Sequence, residues 1–164
     1  MQRAFTLIEL MVVASIIIIL SAVALLNYRS GESQFALQRS ANKLAQDIRR
    51  AQEMAMSAKE FGGTVPEGGY GINFQTTATS SYILFADLND NGVFDSGETI
   101  EKPSLEEGVR ISNLSPSSPL NVTFSPPDPT TNINLSDTLA IITITNDIQT
   151  KTIRVNKAGL IYVE

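Results

Sequence analysis

From Phe5 to Leu26 the chain is almost wholly apolar, broken only by Thr6, Glu9, Ser15 and Ser21. A bilayer core is about 30 Å thick, and a helix needs roughly 20 apolar residues to cross it. The run is long enough, and with no Pro or Gly inside it, a helix is the form that satisfies its backbone in lipid. A polar junction follows, Asn27-Tyr28-Arg29-Ser30-Gly31-Glu32-Ser33, whose Tyr28 and Arg29 have the character of membrane-boundary anchors. The helical pattern then resumes in amphipathic form. Leu37, Ala41, Leu44, Ile48, Ala51, Ala55 and Ala58 recur at spacings of four and three and share one face. Lys43–Asp47 and Arg49–Glu53 are favourable pairs along the outer face. Glu60-Phe61-Gly62-Gly63 predicts the helix end.

Beyond Gly71 helical periodicity gives way to short β-type runs at 70–74, 81–86, 109–114, 120–124, 139–145, 152–156 and 160–163. Turn clusters separate them, notably Ser115–Pro119 and a Pro-rich stretch at 125–132 that reads as an exposed loop. The last two runs form a hairpin around Asn156–Gly159. The expectation is an α+β protein: a long N-terminal helix, 5–26 membrane-spanning and 27–61 amphipathic, packed on an antiparallel β-sheet head at 62–164. A helix continuous from Phe5 to Glu60 would measure about 80 Å.

Charge divides the chain. Residues 1–60 carry seven basic and five acidic residues, whereas residues 61–164 carry five basic and twelve acidic ones, a net of −7. An acidic head argues against phosphate-backbone binding, which depends on Lys and Arg. With neither Cys nor His in the sequence, disulfides, the usual zinc sites and nucleophile–imidazole pairs are excluded. No phosphate loop is present either, since Gly68-Gly69-Tyr70-Gly71 lacks the Lys-Ser/Thr that would complete one. Adjacent Glu106 and Glu107 read as solvated charge, and the expectation is a protein that is not an enzyme.

Glu9 is the residue that does not suit its surroundings. An acid in a membrane helix costs on the order of 2.5–3.5 kcal/mol at the centre. Either it reaches water or a headgroup, or it has a cationic partner within an assembly; a neighbour's free α-amino group is a natural candidate if the chain begins at Phe5.

Phe5-Thr6-Leu7-Ile8-Glu9-Leu10-Met11-Val12-Val13 closely resembles the mature N-terminus of type IV pilins and type II secretion pseudopilins. The resemblance implies that residues 1–4 are a leader, cut between Ala4 and Phe5 by a prepilin peptidase, with methylation of the new Phe5 amine. It also implies that Phe5 and Glu9 serve assembly. Ala4 stands where the family nearly always has Gly, and the helix-melting Pro of many major pilins is missing. Residues 44–55 resemble the corresponding helix of H-class pseudopilins and related minor pilins. What the resemblance implies is a structural filament subunit, a single-pass inner-membrane protein with its head outside the cytoplasm. Its partners would be other pilin subunits, the peptidase and an inner-membrane assembly platform, and its destination an extracellular or periplasmic filament. The alternative is a minor tip pilin that binds DNA, a surface or an exported substrate.

One constellation carries ligand chemistry. Asp87-Leu88-Asn89-Asp90-Asn91-Gly92-Val93-Phe94-Asp95-Ser96-Gly97-Glu98 fits the calcium-loop template D-x-[DN]-x-[DN]-G-x5-E. Asp87, Asn89, Asn91, the Val93 carbonyl, Asp95 and Glu98 would supply oxygens to a structural Ca²⁺, and Gly92 would permit the turn. Strand-like flanks exclude a helix–loop–helix hand, and an Asp/Asn/Gly hairpin turn without metal accounts for the same residues. For nucleic acid the candidates are Lys151, Arg154 and Lys157 on the final hairpin, and three charges give only weak, salt-sensitive binding.

Overall fold

The computed structural model describes residues 6–125, 130–134 and 137–164, with the side chains of 24–30 outside that description. Among the described residues one helix, α1 (Leu7–Met56), precedes nine strands: β1 (Gly69–Phe74), β2 (Ile83–Asp87), β3 (Thr99–Glu101), β4 (Arg110–Ser115), β5 (Leu120–Ser125), β6 (Thr130–Ile133), β7 (Leu139–Thr145), β8 (Thr150–Asn156) and β9 (Ile161–Val163). The chain divides into two compact units, Met1–Phe35 and Ala36–Glu164.

The described part of the first unit is helical from Leu7 onward, and its large apolar side chains between Leu7 and Val23 are 50–78% exposed. Among the described residues no helix is long and apolar enough to cross a membrane. The described side chains of the apolar run stop at Val23, short of its predicted end at Leu26.

In the second unit the amphipathic stripe of α1 is buried from Leu37 to Ala55 as its spacing predicts, whereas Ala58, its last predicted position, is exposed beyond the end of the helix. Leu37, Ala41, Leu44, Ile48, Ala51 and Ala55 are each at most 1% exposed, and Ser40, Ala45 and Met54 join them. The strands depart from the expected single sheet. They form a five-stranded sheet, ordered β3-β2-β1-β5-β6, and a four-stranded sheet, ordered β4-β7-β8-β9. All their pairings are antiparallel. Periodicity tells which side chains point together, not which strands pair, and the chain changes sheet between β3 and β4, between β4 and β5 and again between β6 and β7. Both sheets and the α1 stripe contribute to one hydrophobic cluster, which includes Leu44, Ile48, Ile72, Phe74, Val122, Ile142 and Ile153.

Part of the predicted exposed loop at 125–132 is strand. Thr130–Ile133 pairs with β5, and Thr131 and Ile133 are fully buried; residues 126–129 lie outside the described ones. The helix also ends earlier than residue 61. Lys59 N–H donates to Met54 O at 3.1 Å and Ala58 N–H to Ala55 O at 3.0 Å, a Schellman-type end with Ala58 left-handed at φ 45°. Glycine usually takes that place, so the Gly62-Gly63 signal pointed several residues too far.

The extended segment after β3 runs antiparallel along α1. Arg50 pairs with Glu101 at 2.8 Å, Lys43 Nζ donates to Ser104 O at 3.1 Å, and Arg39 pairs with Glu106 at 3.1 Å. Arg39 to Arg50 rises about 16 Å at helical spacing, and Glu101 to Glu106 covers about the same length at strand spacing, so the partners stay in step. The ion pairs are exposed and worth little each. Pro103 and Leu105, buried between them, hold the segment. Tyr82 Oη donates to Asp47 Oδ2 at 2.5 Å. Lys43 and Asp47 thus take tertiary partners instead of each other.

Candidate functional site

Two places carry chemistry: the start of α1 and the loop between β2 and β3. At the helix start, Thr6 stands one residue before α1 and Glu9 in its first turn. Glu9 Oε2 accepts from the Thr6 backbone N–H at 3.0 Å and from Thr6 Oγ1 at 2.7 Å, while Glu9 N–H donates back to Thr6 Oγ1 at 3.3 Å. This is a reciprocal capping box, which satisfies orphan donors of the first turn. The pattern Thr-x-x-Glu that forms it is readable in the sequence at residues 6–9. Ile8, Val12 and Val13 surround Glu9 in a shallow depression on the helix surface. Ala4 and Phe5, the processing and assembly residues, lie outside the described residues.

In the β2–β3 loop every predicted side chain is described. Asp87 is fully buried at the end of β2, and Glu98, just before β3, is 4% exposed. Asp87 accepts from the backbone N–H groups of Asn91 at 3.2 Å and Gly92 at 2.7 Å. Glu98 accepts from those of Leu88 at 3.0 Å and Asp95 at 2.8 Å. Asp95 Oδ2 takes the side-chain amides of Asn89 at 3.0 Å and Asn91 at 2.6 Å. Val93 N–H donates to Asn91 Oδ1 at 2.8 Å. The loop is therefore closed by donors of its own backbone and amides. Among the described residues no metal-binding group of three Asp, Glu, His or Cys forms.

The donor chemistry still suits a hard cation: carboxylates from Asp87, Asp95 and Glu98 with amide oxygens from Asn89 and Asn91 are the oxygen ligands calcium takes. Occupation would require the amides of Asn89 and Asn91 to turn from Asp95 so that their oxygens face inward.

Several supporting positions carry no signal in the sequence. A Cβ on Gly68 would lie 2.3 Å from the Asp87 carboxyl carbon, so only glycine leaves room for that buried acid. Asn121 Oδ1 accepts from Phe94 N–H at 3.3 Å and from buried Asn73 Nδ2 at 2.7 Å, tying the loop to β5 and β1. The Phe94 ring meets Phe85 edge-on at 5.7 Å, and Gly71 admits Phe85 because a Cβ there would come within 2.9 Å of its ring. These partners are distant in sequence, and no local pattern announces them.

The three basic candidates do not gather. Strand alternation puts Lys151 on the face of buried Ile153 and Val155, and Arg154 on the opposite face. Arg154 pairs with Glu164 at 3.3 Å, and Lys157 lies beyond the strand end.

The family of the prokaryotic N-terminal methylation motif matches residues 1–25. No curated protein and no solved structure matches the chain. The match covers residues 1–4, Glu9 and nearly all of the apolar run. It implies assembly with other pilin subunits and processing by a prepilin peptidase, and it points to a structural role. The chain thus carries at its N-terminus the prokaryotic N-terminal methylation motif, the signal of type IV pilins and pseudopilins.

Proposed function

We propose that this protein is a structural subunit of a type IV pilus or type II secretion pseudopilus. The observation that carries the reading is the methylation motif at residues 1–25, with an acid at Glu9 inside an apolar run. The run at 5–26 holds the precursor in the inner membrane with its head outside the cytoplasm. Cleavage after Ala4 frees the Phe5 amine. On assembly, apolar faces leave lipid for neighbouring helices without crossing water, and a neighbour's Phe5 amine offsets Glu9. In the lone subunit Thr6 already satisfies that carboxylate, so the acid is tolerable before a partner arrives. The resemblance of residues 44–55 to the corresponding helix supports a subunit of the H-class pseudopilin or minor-pilin kind.

The test combines N-terminal sequencing with fibre assembly. Methylated Phe5 at the mature terminus and loss of fibres in Glu9→Ala, with membrane insertion intact, are the expected results. Normal fibres from Glu9→Ala would sink the scheme.

A second reading concerns the loop at 87–98. Its set of hard oxygen donors supports a structural Ca²⁺, which would draw Asp87, Asn89, Asn91, Asp95 and Glu98 together and brace the β2–β3 connection. Saturable terbium luminescence, lost in Asp87→Ala with Glu98→Ala, is the expected result; no saturable binding leaves a metal-free turn.

A further inference from the structure

Asn91-Gly92 is the only Asn–Gly pair in the sequence. Asn is among the chemically labile residues, and a following Gly leaves its side-chain carbonyl open to attack by the next backbone nitrogen, because no side chain stands in the way. In this protein both reacting groups are restrained. Gly92 N–H donates to Asp87 Oδ2 at 2.7 Å, and Gly92 is buried with Asp87. The Asn91 side chain is held at both ends, its Oδ1 by Val93 N–H at 2.8 Å and its Nδ2 by Asp95 Oδ2 at 2.6 Å.

We propose that Asn91-Gly92 is a latent self-modification site, kept intact by the buried Asp87 carboxylate. The reaction needs only water and a base from solvent. The base removes the Gly92 amide proton, and the nitrogen attacks the Asn91 side-chain carbonyl carbon. A C–N bond forms there, the bond to Nδ2 breaks, and the amide leaves as ammonia after taking a proton from water. Water then opens the cyclic imide at either carbonyl, leaving aspartate or an isoaspartyl linkage at position 91.

Asp87 opposes the first step in two ways. Its negative charge, in hydrogen-bond contact with the nitrogen, disfavours the amide anion that must form. Its hydrogen bond also holds the Gly92 N–H proton against the carboxylate at 2.7 Å, where a base from solvent must compete for it. Once the modification occurs it undoes its own restraint. The Nδ2 donor that faced Asp95 is replaced by a carboxylate oxygen, so two like charges meet where a hydrogen bond had been. The backbone turn that seats Gly92 under Asp87 then loosens, and an isoaspartyl linkage lengthens the chain at that point as well.

The full-length chain in detergent, with a chelator present so that no bound cation contributes, is incubated at mildly alkaline pH and mapped by mass spectrometry. Conversion at Asn91 is followed in the native chain, in the urea-unfolded chain and in Asp87→Asn. A hydrogen bond to a charged group predicts native conversion about 10- to 100-fold slower than in the unfolded chain. Asp87→Asn should move most of the way to the unfolded rate, with amide exchange at Ile142, Ile144 and Ile153 still protected. Native conversion as fast as unfolded, or an intact-core Asp87→Asn no faster than wild type, overturns the proposal. Should Asp87→Asn lose its core, Asn91→Asp decides: faster amide exchange at Gly92 and Val93 supports the restraint, and unchanged exchange refutes it.

Discussion

Thr6 and Glu9 cap the first turn of α1 reciprocally, with the Thr6 hydroxyl 2.7 Å from the acid that a membrane helix should not contain. The same carboxylate that resists burial in lipid therefore starts the helix. Removing the hydroxyl in Thr6→Val takes one partner from each side of the box. Amide exchange at Ile8 to Leu10 in detergent should rise by about fivefold, and Thr6→Ser should restore it. Equal exchange in Thr6→Val and wild type would show that the cap does not form.

Ala58 holds a left-handed conformation at φ 45° to close the far end of α1. A Cβ is unfavourable there, so Ala58→Gly should stabilise the second unit by about 0.5–1 kcal/mol. Thermal unfolding measures it, and a lowered midpoint would contradict the assigned helix end.

Gly68 lies over Asp87 with no room for a methyl group. Gly68→Ala should cost about 1–3 kcal/mol through overpacking and displace Asp87 from the loop amides. If the loop holds a cation, terbium affinity should fall in parallel. Stability equal to wild type would mean that Asp87 has space elsewhere.

Tyr82 joins the five-stranded sheet region to α1 through Asp47. Tyr82→Phe should destabilise by about 1–3 kcal/mol, since a half-buried carboxylate loses its donor. Denaturant titration of the pair Tyr82→Phe and Asp47→Ala, alone and together, would expose the coupling.

Stability should also decline at both pH extremes, for different reasons. Burial raises the Tyr70 hydroxyl above 10, and burial together with the Asp47 bond raises Tyr82 further. The unfolded chain then loses those protons first, so the contribution is complete below about pH 10 and fades as pH climbs through the folded values. Glu106 shifts the other way: the Arg39 hydrogen bond, opposed by slight desolvation, holds it below its ordinary 4.5. Its contribution is present above that value and disappears as pH falls, and its exposure keeps it small. Tyrosine absorbance against pH, native and unfolded, checks the alkaline arm; coincident titrations would refute it.

The sequence by itself determined everything that depends on near neighbours. The unbroken apolar run with its misplaced Glu9, the buried stripe from Leu37 to Ala55 and the calcium-type order of Asp87 to Glu98 follow from spacing, and the α+β class follows from them. Most strands were likewise readable from β-type composition. Tertiary structure decided the rest. Splitting of the strands into two sheets, the pairing of Arg39, Lys43 and Arg50 with residues 101–106, and the support of Asp87 by Gly68 and of the loop by Asn121 all join positions far apart in the chain. The physical reason is that periodicity fixes the direction of a side chain, whereas its partner depends on which surfaces remain to be covered once the core has formed.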